Sequence, residues 1–152
     1  MGIKTKYEEL QKKYNLPSYE DINNDFEISI IEDEKFLLRA IRRKLAEKLD
    51  AYSKIIESIL MPESNQTSIY ECQLFTEDEK KKLYHLFKKV MYFDRFSIET
   101  SLNENDEKTA NFINEFWKEW PDIKSQLSEM FKELKKGWTK EIKLEEKRSY
   151  LG

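Results

Sequence analysis

The sequence predicts an all-α fold: a single compact bundle of five or six helices around one long central helix at about residues 30–61. Three observations carry this expectation. Apolar residues recur at spacings of three and four along most of the chain, the period of a helix with one buried face. Only three Gly and three Pro occur in 152 residues, too few for a chain built on many tight turns. Capping signatures stand ahead of the periodic runs. A chain of this length suits one domain and buries roughly 68–70% of the surface its unfolded form exposes, so no disulfide or metal staple is required.

The elements follow in order. Tyr7, Leu10 and Tyr14 mark one face of a first short helix, which Leu16-Pro17-Ser18 stops. Ser18 with Asp21 resembles a capping box and opens a helical turn near 19–24. Phe26, Ile28 and Ile30 alternate with polar residues, as an extended stretch would. Ser29 and Glu32 compete with that signal as a second capping box, and the long helix is expected from about residue 30. Its stripe runs through Leu37, Leu38, Ile41, Leu45, Leu49, Tyr52, Ile55, Ile56 and Ile59 until Pro62 ends it. Residues 62–75 read as a long loop, of the kind that is often functional. Thr76 and Glu79 form the clearest capping box, and Leu83, Leu86, Phe87, Val90 and Met91 follow on one face. After a polar break at 101–106, a helix at 106–119 turns Ala110, Ile113, Phe116, Trp117 and Trp120 inward. Pro121 suits the first position of a separate last helix, with Ile123, Leu127, Met130, Leu134 and Trp138 inward and Gly137 as its C-cap. The domain is therefore placed at 1–138, with a charged C-terminal tail at 139–152.

Composition narrows the chemistry. Net charge is −3, which argues against a strongly basic nucleic-acid binder but not against a local basic patch. Cys72 is the only cysteine and His85 the only histidine, so no intrachain disulfide, CxxC site or His-His metal site can form. No P-loop, GxGxxG or GxSxG pattern occurs. His85 lies away from its helix's apolar stripe and reads as a surface histidine; Cys72 reads as a small buried or half-buried thiol. Neither a catalytic residue, a metal site nor a cofactor is expected. The stretch MGIKTKYEELQ lacks the apolar run of a secretion signal, and no segment approaches the ~20 apolar residues of a membrane span. An intracellular, cytoplasmic protein without membrane contact is expected.

Three groups of residues stand out. The first is basic. Segment 35–54 holds seven basic residues and two acids, whereas segment 14–34 holds seven acids and no Lys or Arg. On a wheel of about 100° per residue, Arg39 and Arg43 face away from the apolar stripe. With Lys44 and Lys54 they form a candidate binding face. It is solvated or neutralised by the acidic arm on the first reading, and contacts phosphates or an acidic protein on the others. The second group is aromatic: Phe112, Trp117, Trp120, Phe131 and Trp138. They read first as core, but Phe112, Phe131 and Trp138 exceed what one narrow stripe buries, and an exposed remainder would mark a partner or homodimer surface. The third is a pair of charges set in apolar rows, Arg42 at the edge of the long helix's stripe and Asp94 after Leu83, Phe87 and Val90. A charge turned toward a core is costly unless paired. Either Arg42 and Asp94 meet and fix the helix register, or the second helix frays before Asp94 while Arg42 snorkels.

The run LPSYEDINNDFEIS, then FLLRAIRRKLAEKL, FTEDEKKKLYHLF and a Trp-containing last helix, resembles small uncharacterised archaeal all-helical proteins over about the first two thirds of the chain. The charged and capped helices are also similar to the helical part of GINS replication subunits, although the chain has no room for the small β-domain expected beside it. These resemblances imply an all-α fold and bring no catalytic residues with them. The expected function is a non-enzymatic protein–protein interaction or assembly module with a protein partner or self-association. The alternative is an accessory nucleic-acid binder on the basic helix face, and an enzyme comes third.

Overall fold

Ser18, Asn65, Thr76 and Asn105 each accept a hydrogen bond from the backbone N–H three residues on, and each opens a helix. The computed structural model describes residues 2–32 and 35–139. Six α-helices run through them: α1 Ile3–Tyr14, α2 Tyr19–Phe26, α3 Leu37–Leu60, α4 Gln66–Gln73, α5 Glu77–Ser101 and α6 Asp106–Gly137, with a 3₁₀ turn at Ile28–Ile30. No strand occurs among the described residues. The capping box at α5 is complete: the Thr76 hydroxyl accepts from the Glu79 N–H, and the Glu79 carboxylate accepts from the Thr76 N–H.

Helix α3 is the hub. It packs most extensively on α5 and also meets α6, α4 and α1. Leu38, Ile41, Leu45, Leu49, Ile56 and Ile59 are fully buried along it, so the expected stripe is the core stripe. From the other side come Leu86, Val90 and Phe93 of α5 and Phe112, Ile113, Phe116 and Ile123 of α6. Helices α1 and α2 lie over this core. The Phe26 ring meets Phe116, Trp117 and Trp120, and the Asn114 side-chain amide donates to the Tyr14 carbonyl at the end of α1.

Three boundaries differ from the sequence expectation, each for a local reason. The long helix starts at Leu37, not at about residue 30. The Asn23 side chain accepts from the Ser29 N–H, which ties that segment back to α2 and leaves the Ser29–Glu32 capping box unformed. Helix α3 is then 24 residues, about 36 Å, and unbroken. Residues 62–75 are not a loop throughout, because Asn65 caps α4 and the buried Ser68 hydroxyl donates to the Ser58 carbonyl and accepts from the Glu63 N–H. The expected helices at 106–119 and from Pro121 are one 32-residue helix with Pro121 inside it. Pro121 is exposed, so its missing N–H bond falls on the solvent side. Phe116, Trp120, Ile123 and Leu127 share one face across it, and burying that face outweighs the ~3 kcal/mol a mid-helix proline costs. The expected charged tail lies, beyond Thr139, outside the described residues.

Gly137 is not a left-handed C-cap. It is the last residue of α6, and Trp138 caps the helix in right-handed geometry. The glycine serves close approach instead: a Cβ there would lie 2.3 Å from Leu74 Cδ1. The Tyr70 hydroxyl donates to the Gly137 carbonyl, and the Trp138 indole N–H donates to Glu71. Helix α4 is thereby docked on the end of α6.

Candidate functional site

The polar residues of the helix 3 face converge on one acid. Glu104, in the turn between α5 and α6, accepts from Arg42 at both oxygens: Nε to Oε2 at 2.8 Å and Nη2 to Oε1 at 3.0 Å. Arg42 Nη1 donates to the Ser97 hydroxyl at 3.0 Å, and the Thr109 hydroxyl donates to Glu104 Oε2 at 2.6 Å. Arg39 Nη2 donates to the Glu104 backbone carbonyl at 3.0 Å while its guanidinium covers the Phe36 ring. Burial opposes ionisation of Glu104, but the hydrogen bonds from Arg42 and Thr109 and the charges of Arg42 and Arg39 outweigh it and hold its carboxyl below the usual range. This planar, two-pronged pairing is the geometry a guanidinium favours with a carboxylate.

Arg42 therefore does not meet Asp94. Asp94 pairs with its neighbour Arg95, and α5 continues seven residues past it to Ser101, so the helix does not fray there either. Arg42 is the inward charge that its place in an apolar row implies, and its partner comes from the polar break at 101–106. The candidate basic face is also largely drawn inward. Arg39 is half-buried rather than on an exposed face, and Lys54 pairs with Asp50 at 2.9 Å one turn away. Arg43 is exposed and Lys44 half-buried, and neither forms an ion pair with a described residue. The neutralising acid at Arg39 and Arg42 is Glu104, not the acidic arm.

The aromatic group separates into core and surface. Phe112 is fully buried and Trp120 is 5% exposed, so neither belongs to a partner surface. Trp120 stacks on Phe116, and its indole N–H donates to Asp25 at 2.8 Å. Trp117 is half-buried against Phe26. Phe131 lies at the surface against Tyr52, and Trp138 lies at the α4 junction against Tyr70. The expected patch is thus two separate spots. Asp25, which sequence reading passed over, also accepts from Lys124 at 2.8 Å. Its burial is outweighed by the hydrogen bonds from Lys124 and Trp120, and its carboxyl is held below the usual range.

The remaining chemistry is sparse. His85 is exposed at the rim of a cleft floored by Phe75 and Leu83 and edged by Glu79, Lys82 and Glu129. Cys72 is half-buried and has no hydrogen bond to His85. Among the described residues, no group of three or more His, Cys, Asp or Glu is arranged to hold a metal ion, and no helix is long and apolar enough to cross a membrane.

One apolar face is left outward. On α5, Tyr84 and Ile98 are each 52% exposed, and Leu102, the residue just past its end, is 65% exposed; Met91, expected on the core face, lies half-buried between them on this side instead. A step of seven residues turns a helix by only about −20°, so Tyr84, Met91 and Ile98 fall in one row, Leu102 returns to the angle of Tyr84, and the exposed Arg95 interrupts the row about 20° from Tyr84. This row lies opposite the buried Leu86, Val90 and Phe93. At its first end it opens into a cleft lined by Leu60, Met61, Tyr84 and Phe87, where Met61 is 74% exposed. The signal was present in the sequence as a second, seven-residue period behind the core stripe, masked by the intervening lysines. No protein family, curated protein or solved structure matches this chain.

Proposed function

We propose that this chain is a non-enzymatic protein-interaction module whose docking surface is the outward face of α5. The observation that carries the reading is the exposed row Tyr84–Met91–Ile98–Leu102 on a helix whose other face already fills the core. An apolar row of this kind on an amphipathic helix is what a partner helix or groove covers. The charged residues elsewhere support it by default of other work: Arg42, Arg39, Lys54, Lys89 and Lys124 are engaged within the chain. The nucleic-acid alternative keeps only Arg43 and Lys44 of its four candidate residues without such a partner.

The test is an affinity capture from nuclease-treated lysate, comparing the wild-type chain with Ile98→Asp. Proteins retained by the wild type and lost by the variant, the untagged chain itself included, support the reading. If every retained protein binds both forms equally, the reading fails. If the retained set disappears with nuclease alone, the nucleic-acid alternative replaces it.

A further inference from the structure

Helix α4 is the one described α-helix that gives no apolar side chain to the contiguous core and packs none against it. Polar ties hold it instead. The Ser58 hydroxyl donates to the Ser68 hydroxyl at 2.7 Å, and the Ser68 hydroxyl donates back to the Ser58 carbonyl at 3.0 Å. The Tyr70 hydroxyl donates to the Gly137 carbonyl, and the Trp138 indole N–H donates to Glu71 at 2.9 Å. The Tyr70 ring is buried, but it meets Trp138, a ring that is itself 47% exposed. Residues 61–67, which lead into the helix, are all exposed. Phe75, two residues past its end, is back in the core.

We infer that residues 62–73 form a hinged flap, which undocks from the bundle while the rest of the chain stays folded. It is independent of the docking face on α5. A helix of eight residues is marginal in water by itself, so α4 depends on its docking. That docking is made largely of hydrogen bonds, and each is exchanged for one to water when the flap opens, which leaves its net worth small. The apolar burial that holds the other helices down is not carried on α4. A segment with few buried apolar contacts and exposed flanks opens well below the free energy of global unfolding. The hinges lie at either end: the exposed stretch ahead of the Asn65 cap, and Leu74 just before the anchored Phe75. Opening removes Tyr70 from the Gly137 carbonyl. The flap therefore gates the last turn of α6, whose buried Gly137 is open to a partner only when α4 has swung away.

Amide hydrogen exchange of the full chain, followed by NMR at increasing sub-denaturing urea, tests this. Backbone amides at 69–73 are expected to exchange faster than those at 45–49 in α3. Their exchange should depend little on urea, because opening the flap exposes little surface. Ile41 is fully buried in the core, so Ile41→Val weakens the closed and the open form alike. It is expected to speed exchange in α3 about fivefold and to leave α4 unchanged. Tyr70→Phe removes a tie of the closed form and is expected to speed exchange in α4 about tenfold. Circular dichroism of both variants establishes that the fold is kept. If α4 shares the rate and urea dependence of α3, or follows Ile41→Val, it unfolds only with the whole chain and the flap is overturned. Exchange in α4 that is indifferent to Tyr70→Phe overturns it as well, because the amides then fray without undocking.

Discussion

Replacing Glu104 by Gln tests the buried junction at the α5–α6 turn. The Arg42 and Glu104 side chains are only 9% and 7% exposed, so solvent screens their pairing little. At an effective dielectric of about 20, unit charges ~4 Å apart attract by ~4 kcal/mol. Removing one member of a buried pair costs ~3–5 kcal/mol, because the other charge is left without compensation. Gln keeps one acceptor oxygen, whose two lone pairs can still serve Arg42 Nε and the Thr109 hydroxyl, so the lower end, ~3 kcal/mol, is expected from urea denaturation followed by far-UV circular dichroism. Arg42→Met in the same background should recover most of the loss, since a neutral pair leaves no charge stranded. The pH dependence gives a second arm. The Glu104 carboxyl titrates below its ordinary 4.5 in the folded chain, so its stabilisation is fully present above about 4.5 and is lost as pH falls through the lowered folded value. The gap between wild type and Glu104→Gln should therefore be constant from neutral pH down to about 4.5 and close below it. A loss under ~1 kcal/mol, additive losses in the double variant, or a gap independent of pH would refute the reasoning.

Gly137→Ala should destabilise the chain by ~1–2 kcal/mol by overpacking against Leu74, but become neutral or stabilising in a Leu74→Ala background, where the better helix former acts alone; the same sign in both backgrounds would show that Leu74 is not the obstacle. Asp25→Ala, which strands the Trp120 indole N–H and frees Lys124, should cost ~1–2 kcal/mol, and an unchanged denaturation midpoint would count against that junction. Labelled duplex DNA or RNA should bind no more tightly than ~10⁻⁶ M at physiological salt; submicromolar anisotropy binding abolished by Arg43→Glu would restore the nucleic-acid reading.

Periodicity located the buried faces well because burial is a property of the helix itself. The inward residues of α3 and the completed capping box at Thr76 were legible for that reason. Where a residue's role depends on a distant segment, the sequence showed only half of it. Arg42 read as an inward charge, but Glu104 lies 62 residues on in a stretch that looked like an ordinary polar turn. Gly137 read as a backbone device because glycine usually ends helices that way; its actual constraint is the Leu74 side chain. Pro121 read as a boundary because local rules favour one, and the shared face on both sides of it decided otherwise. The aromatic count predicted surplus rings, but Phe112 and Trp120 were absorbed by a core that Phe26 completes from α2.

The outward face of α5 was missed for the converse reason. A helix with one strong apolar stripe is explained once that stripe is buried; Tyr84, Ile98 and Leu102 then look like scattered surface residues, which are common, and Met91 was counted with the buried stripe. What distinguishes them is their common row on a helix whose opposite face already fills the core. Arg42 with Glu104, Lys89 with Asp122 and Lys124 with Asp25 each tie two different elements together. That common row sets this face apart from the isolated exposed rings at Phe131 and Trp138.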